Sequence, residues 1–383
     1  MFGREAMIQV CPICGGSTET SVERESLPVL NNVTYPTRDA ARSAPVGSFA
    51  LATCLACGFS HNRGFEPNLV AYDENYDNHV ESAVFDTYYS DLVRLIIRRF
   101  KLSGGIVYDI GCGDGQLLKV LCEAAPDVSG VGIDPSCHPT QDGNFRLIKG
   151  TPDEANLLPD ARLVILRHVL EHIDDPVGFL TRLREEVPDA PFFIEVPDLN
   201  WILTSGAFWD FTYEHCNYFT LPTLRLTLET AGFSVVEQHR SFGDQYQWAI
   251  CRPADNRPPP QKNRVGNADS ELAAVQAYLA VEADRFATIS ELAEGPDHFV
   301  IWGMSGKGVI LASLLPEGVV SGGIDMNRAK QGRYAPMSAL RIHTPGWLTG
   351  VGGSTVLVMN PNYVTEIGNL VERLGANARL ITV

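Results

Sequence analysis

Basic residues are scarce in this chain. Thirty lysines and arginines stand against 46 aspartates and glutamates, a formal charge of −16 over 383 residues. That field disfavours a nucleic acid or an acidic membrane surface as the main partner. No apolar run approaches the roughly 18 residues that a membrane helix needs. Met1 to Val10 lacks the apolar segment of a signal peptide, so a cytoplasmic protein is expected. The nine cysteines are odd in number, and five of them (Cys112, Cys122, Cys137, Cys216 and Cys251) are scattered. Neither feature suggests a disulfide framework. No internal repeat is convincing, and no glycine stretch has the Walker spacing of a nucleotide triphosphatase.

The other four cysteines form two pairs, Cys11-Pro12-Ile13-Cys14 and Cys54-Leu55-Ala56-Cys57, each followed by glycine and separated by 39 residues. Four thiolates with no spare histidine make a closed tetrahedral site, so structural zinc is expected in preference to catalytic zinc. So small a module has little core, and the metal supplies much of its folding free energy.

The chain is organised around Val107-Tyr108-Asp109-Ile110-Gly111-Cys112-Gly113-Asp114-Gly115. A β-branched run leads into Asp109, three glycines alternate, and an apolar helical pattern follows at Leu117, Leu118, Val120 and Leu121. This predicts strand, tight turn and helix, with main chain open to a ligand. The third glycine of the dinucleotide fingerprint is missing. Two carboxylates in the turn suit a cationic ligand better than a phosphate. Val131 to Asp134 is a second strand ending in an acid, placed to hold ribose hydroxyls.

Leu163 to Leu166 reads as a buried strand running into Arg167, His168, Glu171 and His172. Arg167 and His168 are expected beside the ligand at the strand ends. His172 is either substrate-facing or a satisfied core histidine. Strands alternate with helices from 105 to 252, which predicts a parallel, doubly wound sheet. Tyr72, Tyr76, Tyr88 and Tyr89 precede a helical apolar face, Leu92 to Ile97. The aromatic stretch Phe208 to Phe219 has no clean period and reads as a binding surface. Within it, Glu214-His215 sets a carboxylate next to an imidazole, a usable base or a structural histidine.

Residues 253 to 270 read as a linker, with Pro258-Pro259-Pro260. An amphipathic helix carrying Leu272, Val275, Leu279, Phe286, Ile289 and Leu292 follows. Then come a strand, His298 to Trp302, and a second glycine turn, Gly303-Met304-Ser305-Gly306-Lys307-Gly308. Lys307, Arg328, Lys330 and Arg333 give this end a local positive cluster.

The order of these parts, with Asp325-Met326-Asn327, Lys330-Gln331-Gly332-Arg333-Tyr334 and Asn360-Pro361-Asn362-Tyr363, resembles the three-domain sugar C-methyltransferases of deoxysugar pathways. The resemblance implies an α/β architecture. A zinc-binding module (1–70) and a class I S-adenosylmethionine (SAM) methyltransferase domain (71–252) precede a C-terminal Rossmann-like substrate domain (271–383). It implies SAM held by Asp109, Gly111, Gly113, Asp134, Arg167 and His168, and zinc held by Cys11, Cys14, Cys54 and Cys57. It implies His215 as general base, aided by Glu214, Tyr76 and His172, with Lys307, Lys330 and Arg333 near a nucleotide-linked 4-keto sugar. A monomer or homodimer acting on a small molecule is expected. The family often has a tyrosine two residues before the glutamate; here that position is Thr212. The sugar is therefore left open, and O-, N- or C-methylation of another small molecule is the alternative.

Overall fold

The computed structural model describes residues 10–155, 157, 159–254 and 268–382. Most of the expected linker, and the first nine residues, lie outside them. Three sheets carry the chain.

The first sheet is antiparallel, with strands in the order Thr18–Pro28, Val46–Cys54, Ser60–Asn62 and Asn217–Tyr218. Its fourth strand comes from the aromatic stretch more than 150 residues later in the chain. Two cysteine-bearing turns close one end of this sheet.

The second sheet has eight strands in the order Phe233–Ser241, Tyr246–Pro253, Phe192–Pro197, Leu163–Arg167, Gly105–Ile110, Val128–Asp134, Phe145–Lys149 and Thr140–Asp142. Its five central strands are parallel. Both edges turn antiparallel, so the sheet is mixed rather than wholly parallel as expected. Leu163, Val164, Ile165 and Leu166 are fully buried, because a central parallel strand is covered on both faces. Helix Gln116–Ala124 follows the first glycine turn and buries Leu117, Leu118, Leu121 and Cys122 along one stripe. Helix Ala83–Phe100 opens at Ser82, whose hydroxyl accepts the Phe85 N–H.

The third sheet is parallel throughout, in the order Ile342–His343, Gly322–Ile324, His298–Trp302, Ser354–Val358 and Ala378–Ile381. Helix Ala268–Ala293 leads into it and packs on the first sheet and on helix Leu199–Ser205. Val275, Tyr278 and Ile289 face inward, whereas Leu279, expected on the apolar face, points to solvent.

The aromatic stretch is a correction to the sequence reading. Phe208, Trp209, Phe211, Tyr213 and Phe219 are at most 2% exposed. Phe211 meets Phe49 of the first sheet at 5.6 Å and Tyr278 of the long helix at 5.4 Å. The period is irregular because this segment is the junction of the units and buries side chains on several sides at once. Tyr35 and Tyr334 exchange two backbone hydrogen bonds of 2.9 Å, which fastens the first unit to the last. No helix among the described residues is long and apolar enough to cross a membrane.

Candidate functional site

The carboxyl ends of the central strands open on a cavity of about 840 Å³, walled on its far side by the third sheet. The first glycine turn forms its floor. Gly111, Gly113 and Gly115 all have positive φ (73°, 55° and 80°). A Cβ on Gly111 would lie 2.2 Å from Val169 Cγ2, so only glycine fits. Gly113 N–H donates to Asp134 Oδ2 at 2.9 Å. Asp134 Oδ1 accepts from the Ser136 N–H and hydroxyl, which pins the second strand end to the turn. Asp109 is 3% exposed, and burial pushes its carboxyl up to about 7 despite the pull of Arg167. Asp114 pairs with His79 at 2.7 Å at the rim. Two buried carboxylates and an exposed one at the rim favour a cation.

Arg167 and His168 line the cavity as expected, but their charges are already engaged. The Arg167 guanidinium donates to Glu195 Oε1 at 3.0 and 2.6 Å and lies 4.8 Å over the Tyr89 ring. His168 has φ of 54°, sparsely populated for a non-glycine residue. Burial pushes its imidazole down, yet Glu171 and Glu195, each 3.3 Å away, bring the balance above the ordinary value.

The acceptor end of the cavity gathers His172, Glu214, His215 and two tyrosines. Glu214 is 2% exposed. Its Oε2 accepts from Tyr76 at 2.8 Å and Tyr72 at 3.2 Å, and its Oε1 from the Asn31 N–H at 3.0 Å. His172 Nδ1 lies 2.8 Å from the Tyr72 hydroxyl and 3.1 Å from the Glu214 carbonyl. The His172 and His215 rings meet edge to face at 4.8 Å. Burial, then the charges of His172, His168 and Lys307, holds His215 well below its ordinary value. Thr212 Oγ1 is buried and has no hydrogen-bond partner among the described residues. The expected quartet of Tyr76, His172, Glu214 and His215 is thus brought together. Tyr72 and Asn31 were missed. The sequence marks Tyr72 only as one of several tyrosines, and Asn31 contributes a main-chain N–H, which no side-chain motif reports.

The positive cluster splits. Lys307 lines the cavity, its Nζ 2.8 and 2.6 Å from the two Asp210 oxygens and 4.6 Å over Trp201. Lys330 is 1% exposed and does not reach the cavity. It donates to Ser305 at 2.8 Å and Asn32 at 3.2 Å, and burial lowers its pKa. Arg333 donates to the Thr34 hydroxyl and carbonyl at 2.8 and 2.6 Å. Lys330 and Arg333 therefore clamp the first unit to the third instead of facing a ligand, because each finds oxygen acceptors on the loop 31–34 that sequence spacing does not reveal.

The four paired cysteines converge, their sulfurs within 4.8 Å of one another. Cys11–Cys57 and Cys14–Cys54 are 3.7 and 3.5 Å apart. A tetrahedral zinc with Zn–S of about 2.3 Å needs sulfur separations of about 3.8 Å. The Ile13, Gly16 and Ala56 N–H groups each donate to a cysteine sulfur at 3.4 Å, which favours thiolate. Mutual contacts push the Cys54 thiol down and the Cys11 and Cys57 thiols up, as expected of sulfurs crowded together. The donor set fits a closed structural metal site.

Residues 78–238 match the family described as "Methyltransferase domain". The chain is 28% identical over 301 residues to C-methyltransferase NovU of Streptomyces niveus, covering 72% of this chain and 71% of that protein. It is 30% identical over 95 residues to a mitochondrial ubiquinone biosynthesis O-methyltransferase of Schizosaccharomyces pombe, covering 22% of this chain and 35% of that one. Among solved structures, an N,N-8-amino-8-demethyl-D-riboflavin dimethyltransferase from Streptomyces davawensis aligns with a TM-score of 0.36 at 24% identity, over 44% of this chain and 55% of that one.

Proposed function

We propose that this chain, which carries a methyltransferase domain and is similar over most of its length to a C-methyltransferase, methylates a carbon next to a ketone on a nucleotide-linked deoxysugar, through an enolate generated by His215. The observation that carries this reading is the His215 imidazole, which burial holds well below its ordinary pKa, in the same cavity as the carboxylate-bearing glycine turn. A carbon next to a ketone becomes nucleophilic only when its proton is removed, which requires a base within hydrogen-bond reach. Methylation of an oxygen or nitrogen also releases a proton, but not from the carbon next to a ketone, so exchange at that carbon separates the two.

Asp109, Gly111, Gly113 and Asp134 hold the cofactor, and Arg167 and His168 shape the wall beside it. When bound, SAM supplies a methyl group already activated by its positive sulfur. His215 takes the α-proton onto its free ring nitrogen, and the electron pair left behind moves into the ketone as an enolate. Glu214, anchored by Tyr72, Tyr76 and Asn31, fixes the segment that carries His215. Thr212 lines the cavity, and its Oγ1 is buried with no hydrogen-bond partner among the described residues. Lys307 lies at the far wall, where a phosphate can compete with Asp210 for its ammonium. We assign structural zinc to Cys11, Cys14, Cys54 and Cys57. We divide the chain into a zinc module (1–70), a SAM domain (71–252) and a C-terminal substrate domain (271–383), in support of which each unit centres on its own sheet.

The test is exchange of the acceptor's α-proton in deuterated water without SAM. Wild type should exchange it. His215→Ala should lose the exchange, with kcat lower by about 10²–10⁴ and SAM affinity within about twofold by calorimetry. Turnover without any exchange would favour the second reading, methylation of another small acceptor, which the compact Thr212 side chain at the cavity wall supports.

A further inference from the structure

We propose that Glu171, His172 and His215 bind a divalent transition-metal ion, and that this ion and proton abstraction at His215 exclude each other. The site lies in the cleft and is separate from the four cysteines. One donor atom from each of the three residues falls within 4.8 Å of the other two. Two imidazoles and a carboxylate are the donor set of open sites for zinc and for iron, with positions left for an exogenous ligand.

Glu171 supplies the independent sign that a cation belongs here. It is 1% exposed, and neither carboxylate oxygen accepts a hydrogen bond among the described residues. Its Oε1 lies 3.3 Å from His168 Nδ1, an ion-pair distance without hydrogen-bond geometry. His168 offsets part of this buried charge, and because neither oxygen accepts a hydrogen bond both stay available to a metal ion. Nearby hydroxyl donors are directed elsewhere, since Tyr72 and Tyr76 both donate to Glu214.

His172 is oriented as a metal-ligating histidine is. Its Nδ1 faces the Glu214 carbonyl at 3.1 Å. The same Nδ1 lies 2.8 Å from the Tyr72 hydroxyl, whose proton goes to Glu214, so an N–H at Nδ1 has both oxygens as acceptors and the lone pair falls on Nε2, the outer-shell pattern usual for metal-bound imidazole. His215, 4.8 Å away edge to face, completes the set. Coordination uses the lone pair with which a neutral imidazole would accept a proton. The bound ion therefore occupies the lone pair that would have taken the α-proton and removes the base. That second clause rests on the role proposed for His215, whereas the binding clause rests on the three residues alone.

The test is titration of the full-length, zinc-loaded protein with Co²⁺, read by visible absorption and by metal content. A second equivalent is expected, with d–d bands but without sulfur-to-metal charge transfer. Glu171→Gln and His172→Asn should each weaken it at least about tenfold, while His239→Asn, at an exposed histidine, should not. SAM binding by calorimetry shows that the variants remain folded. Turnover should fall in step with occupancy of the second site. A total metal content that stays at one equivalent, with no cobalt bound beside the zinc, or a second metal equivalent untouched by both cleft variants, overturns the site. A second equivalent that raises turnover leaves the site standing and removes His215 as the base.

Discussion

The two glycine turns of this protein start from one backbone plan and diverge in what they are built to hold. Gly111 N–H donates to the Ile133 carbonyl and Gly303 N–H to the Ile324 carbonyl, both at 2.8 Å. An aspartate at the end of one neighbouring strand and just past the end of the other accepts the N–H of the residue two places on, Asp134 from Ser136 and Asp325 from Asn327. In the first turn three glycines take positive φ, whereas in the second only Gly303 does. The first turn is bordered by Asp109 and Asp134 and the second carries Lys307, yet both open on one cavity. The backbone provides a crevice in each case. On the function proposed above, the side-chain charges then divide it into an end for a cation and an end, at Lys307, for an anion that competes with Asp210.

Breaking the first turn should have the largest effect. Gly111→Ala places a Cβ at φ 73° and 2.2 Å from Val169 Cγ2. Strain of about 1–3 kcal/mol adds to a clash of similar size. SAM affinity should fall by about a hundredfold or more by calorimetry, and a change under threefold would show that Val169 yields. The equivalent break at the second turn is Lys307→Met. Removing one charged contact should raise KM for a nucleotide-linked acceptor by about tenfold and leave SAM affinity unchanged. Pairing it with Asp210→Asn separates lost phosphate binding from a stranded Asp210, whose carboxyl burial already pushes upward. An unchanged KM in the pair would remove Lys307 from the acceptor site.

The acidic turn also predicts a pH dependence that the basic turn does not share. Burial, the largest influence, holds the Asp109 carboxyl at about 7, opposed by Arg167 and reinforced by Asp134 and Asp114. A cationic ligand prefers the ionised form. Its affinity is therefore fully expressed above that pH and declines as protonation sets in below it. SAM affinity should weaken about tenfold between pH 8 and pH 6. Asp109→Asn should flatten the profile, and a profile that stays steep in this variant would assign the titration elsewhere.

Motifs complete within one short stretch were readable from sequence alone. The turn at 111–115, the CxxC pairs and Glu214-His215 each carry their chemistry in adjacent residues. What escaped depends on distant partners. Tyr72 reaches Glu214 across 142 positions, and Arg333 reaches Thr34 across 299, so no local spacing encodes either. The aromatic stretch misled for the same reason. It buries its rings against two other units while turning Thr212, Glu214 and His215 to the cavity, and a segment with several neighbours has no single period to read. Lys330 and Arg333 show that a cluster of positive residues in sequence need not be one in space.

The smallest expected effect distinguishes how closely a ligand approaches the second turn. Gly306 has ordinary φ, and a Cβ there would meet no atom within 4 Å. It is the first residue of helix Gly306–Leu314, where alanine is the better helix former by up to about 1 kcal/mol. Gly306→Ala should therefore leave thermal stability unchanged or slightly raised. Gly308 behaves oppositely, since its Cβ would lie 2.2 Å from the Gly303 carbonyl oxygen. A glycine that the fold tolerates replacing, at a helix start on a cavity wall, is explained if an anion packs against its main chain. On that account Gly306→Ala raises KM for the nucleotide-linked acceptor several-fold with stability intact. If KM does not move, the anionic group is held by Lys307 at arm's length and the backbone of the second turn is structural only.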